Sequence, residues 1–332
     1  MKLKDVPLSK RFIFIPLLLM WVCFRAEILA APTVIYSTGF EGSQGFNSAL
    51  DLEGQQGWLG TGGNSVYDNG LTSENYVPVL GQSAYVGYRP LAVGESNLFV
   101  WYPLNVSPVA SNTPIVKFSV AMRIVDSSFI NGEYDSFRWS VFNKDTNELF
   151  DLVFDNTDLS ISYLLENSTD FVDTGQSFDN DVLYLLVVTM DFGRNKWSAT
   201  LENSATLEKV TLVSEVPITT ANSPLTLGDI DAVWLYTDPV APGDNFMLFD
   251  NYQITAQPAP RLQPLAKVNN QFRLSLTGEP SRPYALEANT DLANALGWTI
   301  LQTNVTALDG TTQFTDPAPG LPRRFYRARL AQ

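Results

Sequence analysis

The sequence predicts an all-β chain, an antiparallel sandwich followed by a small second β module. Three observations carry that reading. No long stretch has helical periodicity, whereas segment after segment alternates apolar and polar residues with a period of two. Only 17% of residues are charged, against a usual quarter or so, while 12% are aromatic. The 21 glycines and 20 prolines punctuate the chain at the short intervals expected of strands joined by turns.

Residues 1–31 come first and stand apart. Lys2, Lys4, Lys10 and Arg11 precede the apolar run Phe12–Phe24, and Ala30-Ala31 follow, the layout of a secretory signal peptide. The expectation is a secreted, cell-surface or periplasmic protein. Ile28 or Leu29 falls where a cleavage site favours a small residue, so an uncleaved membrane anchor is the alternative. The segment carries five basic and two acidic residues; without it the net charge falls from −14 to −17. A chain so acidic repels nucleic acid and anionic membranes and attracts cations.

Cys23 is the only cysteine and lies in that segment; there is no histidine. Histidine-dependent triads and dyads are therefore excluded, as are metal centres built on His or Cys. Any metal must be held by oxygen, which favours calcium.

Taken in order, Thr33–Ser37 reads as a first strand, followed by Gly39-Phe40-Glu41-Gly42. From Ser43 to about Glu95 the chain is rich in Gly, Asn, Ser and Gln and reads as long loops bearing Trp58, Tyr67, Tyr76, Tyr85 and Tyr88. Trp101 and Tyr102 follow on a short strand. Val116–Ile124, Ser136–Asn143 and Leu149–Asp155 alternate strictly and predict neighbouring strands of one antiparallel sheet, with Lys117, Arg123, Arg138, Asp151 and Asp155 on its solvated face. Leu183–Phe192 is apolar on both faces and predicts a strand covered on both sides.

The last strand of the main domain, Met247–Thr255, poses the sharpest question. An unbroken period of two puts Leu248, Asp250, Tyr252 and Ile254 on one face and Met247, Phe249, Asn251 and Gln253 on the other. The second set turns polar, so the first is expected inside, with Asp250 as a carboxylate among apolar neighbours that needs donors, a cation or a proton.

The expected division is 32–256 for the main domain, 257–265 for a proline-rich linker and 266–332 for the C-terminal module. Residues 33–256 resemble the concanavalin A-like (laminin-G-like) jelly-roll superfamily. The carriers are Gly39-Phe40-Glu41, Tyr184–Phe192 turning through Gly193-Arg194-Asn195, and Phe249-Asp250-Asn251. The C-terminal module resembles short β modules that recur in large secreted bacterial proteins, through Tyr284-Ala285-Leu286-Glu287, Gly297-Trp298 and Arg324-Phe325-Tyr326-Arg327.

The first resemblance implies recognition of a polysaccharide or glycoconjugate, with hydrolase activity in some members. The Glu-x-Asp-x-x-Glu type of acidic run that such hydrolases place on one strand is not found. Asp151 and Asp155, four residues apart on one strand, are separated by roughly 13 Å, too far for either glycosidase geometry. No catalytic set is therefore assigned.

The expected ligand-binding residues are Trp58, Tyr85, Tyr88, Trp101 and Tyr102 on loops and edges, and Arg123, Arg138, Asp151 and Asp155 on the solvated sheet face. In jelly rolls the first and last strands run side by side, so Glu41 and Asp250 are the expected pair for a structural calcium. The reading is a non-catalytic glycan- or surface-binding protein. The alternatives are a carboxylate-dependent polysaccharide hydrolase or lyase, and a structural envelope protein without a small ligand.

Overall fold

The computed structural model describes residues 32–61, 68–74, 76, 80–87, 97–125, 134–235, 245–268, 271–294, 297–316 and 323–331. The N-terminal segment with Cys23, together with Tyr67 and Tyr88, lies outside the described residues.

The strands of the larger unit, in order, are β1 (Thr33–Thr38), β2 (Leu59–Thr61), β3 (Asn69–Thr72), β4 (Ser83–Gly87), β5 (Asn97–Trp101), β6 (Ile115–Val125), β7 (Ser136–Phe142), β8 (Glu148–Asp155), β9 (Ser160–Leu165), β10 (Val172–Ser177), β11 (Tyr184–Asp191), β12 (Lys196–Asn203), β13 (Lys209–Val216), β14 (Asp229–Leu235) and β15 (Phe246–Gln257). They form two antiparallel sheets. The first has the order β13-β12-β11-β6-β15-β4-β3, with β1 also on β15; the second has the order β10-β9-β8-β7-β14-β5-β2. This is a two-sheet antiparallel β-sandwich. Its core is the layer between the sheets, built on Phe118, Trp139, Phe150, Trp197, Trp234 and Tyr252.

The three central strands do not share a sheet as expected. β6 lies in the first sheet, whereas β7 and β8 lie in the second. Alternation reports which face of a strand is apolar, and both layers of a sandwich need the same pattern. β11 also departs from expectation. Its inner residues Leu186, Val188 and Met190 are buried, but Leu185 is exposed on the outer face, so the strand is not covered on both sides.

β15 organises the first sheet. One flank pairs with β6 along its length. The other pairs first with β4, from Phe246 to Phe249, and then with β1, from Tyr252 to Ala256. The register slips between Asp250 and Gln253, where Asn251 has φ 49°. Such a bulge inserts one residue and reverses the parity of the strand. Met247 and Phe249 therefore face the core before it, and Tyr252 and Ile254 after it. This corrects the expected placement of Asp250. It pairs across β4 with Ser83 at the seam where β4 gives way to β1, not among the inward side chains.

Beyond Pro258, Ala259 and Pro260, β16 (Arg261–Val268), β17 (Gln271–Thr277), β18 (Pro283–Asn289), β19 (Thr299–Val305), β20 (Thr311–Asp316) and β21 (Phe325–Leu330) form two three-stranded sheets, β16-β17-β20 and β19-β18-β21. They enclose a small core of Leu274, Leu276, Tyr284, Leu286 and Phe314. The module touches the sandwich through Glu279, which accepts hydrogen bonds from Lys117 on β6 (2.7 Å) and from Gln257.

Candidate functional site

Among the described residues, chemistry-bearing side chains gather at a place outside the core on each of the two sheets. The first is an open pocket of about 210 Å³ on the outer side of the first sheet. Its apolar surface comes from Leu71, Tyr76, Tyr85 and Phe246, and its rim from Ser48, Thr72 and Glu74. The local sequence explains the shape. Gly70 stands directly across from Tyr85, and a Cβ there would lie 2.7 Å from the Tyr85 hydroxyl and 2.9 Å from Cζ. Only glycine lets the tyrosine fold over the neighbouring strand. Tyr76 meets Phe246 edge to face, with ring centroids 5.6 Å apart. Arg123, across β15 from Tyr85, braces the wall: one guanidinium nitrogen donates to the Tyr76 carbonyl (2.6 Å) and another pairs with Asp181 (2.8 Å).

The second place is a carboxylate cluster on the outer face of the second sheet. The register sets Asp151 of β8 and Asp231 of β14 on either side of Ser140 of β7. Asp229 lies two residues from Asp231 on the same strand, and Glu148 sits across Phe142 from it. Burial acts on all four, and like charge adds to it at Asp231 and Glu148. Burial pushes Asp231 well above the carboxylate range, and the charges of Asp229, Asp151 and Glu148 add to it. Asp229 is pushed up to about 6 by burial, opposed by its hydrogen bond with Asp231. Glu148 rises to about 7, through burial and the Asp151 charge, with Arg138 opposing. Burial raises Asp151 as well, against the hydroxyl of Ser140 and the guanidinium of Arg138, which bonds Asp151 Oδ2 at 2.9 Å.

Tyr85 is the expected aromatic that reaches a pocket, and Arg123 adjoins it. Trp58 is a correction. It is 0% exposed, donates its indole N–H to the Tyr36 hydroxyl (2.9 Å) and packs edge to face on Tyr252. A glycine-rich context suggested a surface loop, but the large indole fills the sandwich end where β2 begins. Tyr102 is likewise engaged, stacked on Tyr36 at 3.7 Å. Trp101 is half-buried, across from Leu59.

The solvated face of the second sheet is also corrected. Asp151 is 0% exposed, and Phe171 lies against Arg138 at 5.4 Å, so the ion pair is covered. Asp155 caps the following turn by accepting the N–H of Thr157. Sequence reasoning missed Glu148, Asp229 and Asp231. The signal was Asp229-Ile230-Asp231, two acids on one face of a strand, but the acids of β8 and β14 meet only through pairing across β7.

Glu41 and Asp250 do come together. β1 pairs with β15 down to Thr38 opposite Tyr252, which carries Gly39-Phe40-Glu41 to the seam. Asp250 Oδ1 accepts the Asn251 N–H (2.6 Å), and Ser83 donates to Oδ2 (3.4 Å). Its acidity is weakened to about 7, chiefly by burial, with the Glu41 charge adding. Gly81 (φ 81°) is obligatory beside it, since a Cβ would fall on the Glu41 carboxylate. Two carboxylates and the nearby Asn251 amide are hard oxygen donors of the kind calcium takes. Among the described residues, however, no group of three or more Asp, Glu, His or Cys side chains is placed to hold a metal.

No protein-family model matches the chain, and a search of curated proteins finds no match. Among solved structures, the chain is similar to the CBM2 module of an evolved Dit protein of Lactobacillus casei BL23 phage J-1. The identity is 11% and the TM-score 0.47, over 69% of this chain and 99% of that one. It is similar to a carbohydrate esterase of a Shiga toxin-encoding bacteriophage (14%, TM-score 0.42, 69% and 100%). It is also similar to a basic winged bean lectin solved with Tn-antigen (12%, TM-score 0.42, 64% and 97%). At such identities and TM-scores, what this chain binds has to be argued from its own geometry.

Proposed function

We propose that the chain is an exported, non-catalytic glycan-binding protein that seats a sugar ring against Tyr85. The observation that carries this reading is the pocket itself. It combines an aromatic wall with hydroxyl and carboxylate groups at the rim. A pyranose has the same division: C–H faces that pack on aromatic rings, and hydroxyls that need polar partners at the edge. At about 210 Å³ the cavity is smaller than a drug-sized site and suits one ring-sized unit of a longer chain. The test is a glycan array on the chain without residues 1–31, followed by titration of any hit against Tyr85→Ala. Loss of tenfold or more in affinity supports the reading; an unchanged affinity, or no hit across a broad panel, overturns it.

The carboxylate cluster favours a second reading, hydrolysis. A carboxyl kept protonated at neutral pH beside ionised neighbours is what a general acid requires. Against it, Asp151 and Asp231 are 0% and 5% exposed, which leaves a substrate little access. Reducing-sugar release from an array hit, abolished by Asp231→Asn, would support hydrolysis over simple binding.

Calcium between Glu41 and Asp250 is proposed as a structural ion only, tying the chain's first turn to its last strand. A melting temperature equal in calcium and in chelator would remove it.

A further inference from the structure

We infer that the Tyr85 pocket selects protonated amino sugars and rejects acidic ones; the inference rests on the glycan reading above. Four observations converge on a cation. Among the described residues, Glu74 is the one charged residue lining the pocket, its side chain is exposed, and no ion pair engages it. Three aromatic rings, those of Tyr76, Tyr85 and Phe246, line the same cavity, and aromatic faces attract ammonium groups. Arg123, the neighbouring cation that could have welcomed a carboxylate or sulfate, is turned to the Tyr76 carbonyl and matched by Asp181. The chain as a whole carries −14, which raises the local concentration of cations and lowers that of anions.

A neutral sugar would use the aromatic wall and the hydroxyls of Ser48 and Thr72 but would leave the carboxylate unused. A uronate or sulfated sugar would bring a second negative charge beside Glu74. A glucosamine unit satisfies every part: its ring packs on Tyr85, its hydroxyls meet the rim, and its ammonium faces Glu74 within the aromatic surround. The chemical class is therefore a polymer or conjugate bearing free 2-amino sugars.

The experiment is calorimetric titration at about pH 6, below the ordinary range of an amine. Three hexamers of matched length are compared: glucosamine, N-acetylglucosamine and galacturonic acid. Expected is binding of the glucosamine hexamer at least tenfold tighter than its acetylated counterpart, with none detectable for galacturonate. Glu74→Gln should remove the preference while leaving the weaker neutral binding in place. Asp158→Asn, an equal change of charge on a distant turn, should do nothing. A preference that survives Glu74→Gln, or that Asp158→Asn reduces equally, means diffuse attraction and overturns the inference while the glycan reading stands. Equal or tighter binding of the acetylated or galacturonate hexamer also overturns it. If Tyr85→Ala leaves all binding intact, the pocket is not the site and both readings fall.

Discussion

Carboxylates are the informative residues of this chain, because the fold treats them in opposite ways. Glu166 accepts hydrogen bonds from the hydroxyls of Thr219 and Ser223 and from the N–H groups of Thr220 and Ala221. Burial would raise it, but those donors hold it below its usual value. Glu166→Ala strands four donors and is expected to cost about 2–3 kcal/mol in denaturant unfolding. The cluster on the second sheet and the seam carboxylate behave the other way. Glu148 and Asp250 at about 7 and Asp229 at about 6 hold protons in the folded state that the unfolded chain releases near pH 4. Their contribution is complete below the unfolded values and is lost as pH rises toward 7, since the folded state then binds more protons than the unfolded. Glu166 and Glu287, both lowered, contribute above the unfolded value and lose it as pH falls below about 4.5. The melting temperature should therefore peak near pH 5 and decline toward pH 8. Asp229→Asn should recover part of that decline at pH 8 and change little at pH 4.5. A melting temperature that rises from pH 5 to pH 8 would contradict both assignments.

At the scale of the element, the bulge in β15 decides what the strand buries. Asn251 adopts φ 49°, a left-handed conformation that asparagine tolerates and β-branched residues resist. Asn251→Gly should be nearly neutral, and Asn251→Val should destabilise by about 1–2 kcal/mol. Deleting residue 251 is the complementary test. It removes the inserted residue and restores an unbroken period that keeps Met247, Phe249, Tyr252 and Ile254 on the core face, so the chain is expected still to unfold cooperatively. The elements themselves were legible. The segments Ile115–Val125, Ser136–Phe142 and Glu148–Asp155 are strands where alternation placed them. The bulge was not, because a period of two carries no mark of the residue at which it slips.

At the scale of the whole molecule, the sandwich and the C-terminal module meet through Glu279. It is held by Lys117, Gln257 and the nearby Arg282, and its acidity is strengthened: burial opposes ionisation, but these partners outweigh it. Glu279→Ala leaves Lys117 without its partner and should lower the module's thermal transition by a few degrees, with little change in the sandwich. Differential scanning calorimetry reads both. A module transition that does not move would mean that the contact is incidental. The same scale explains the candidate site. Tyr85 was expected from composition alone, as an aromatic in a glycine-rich region. Its pocket exists because Gly70 pairs with it, Phe246 arrives from β15 and Arg123 holds Tyr76, four contributions spread over 177 residues of chain.

By itself the sequence determined the class of fold, the β content and the absence of histidine chemistry. Those follow from composition and local period, which each residue expresses without reference to distant partners. Only the tertiary structure decided which sheet each strand joins, which face of β15 is buried, that Trp58 is core, and that Asp151, Asp229, Asp231 and Glu148 crowd one another. Each of these depends on pairing between residues far apart in sequence, and pairing register is a property of two strands at once.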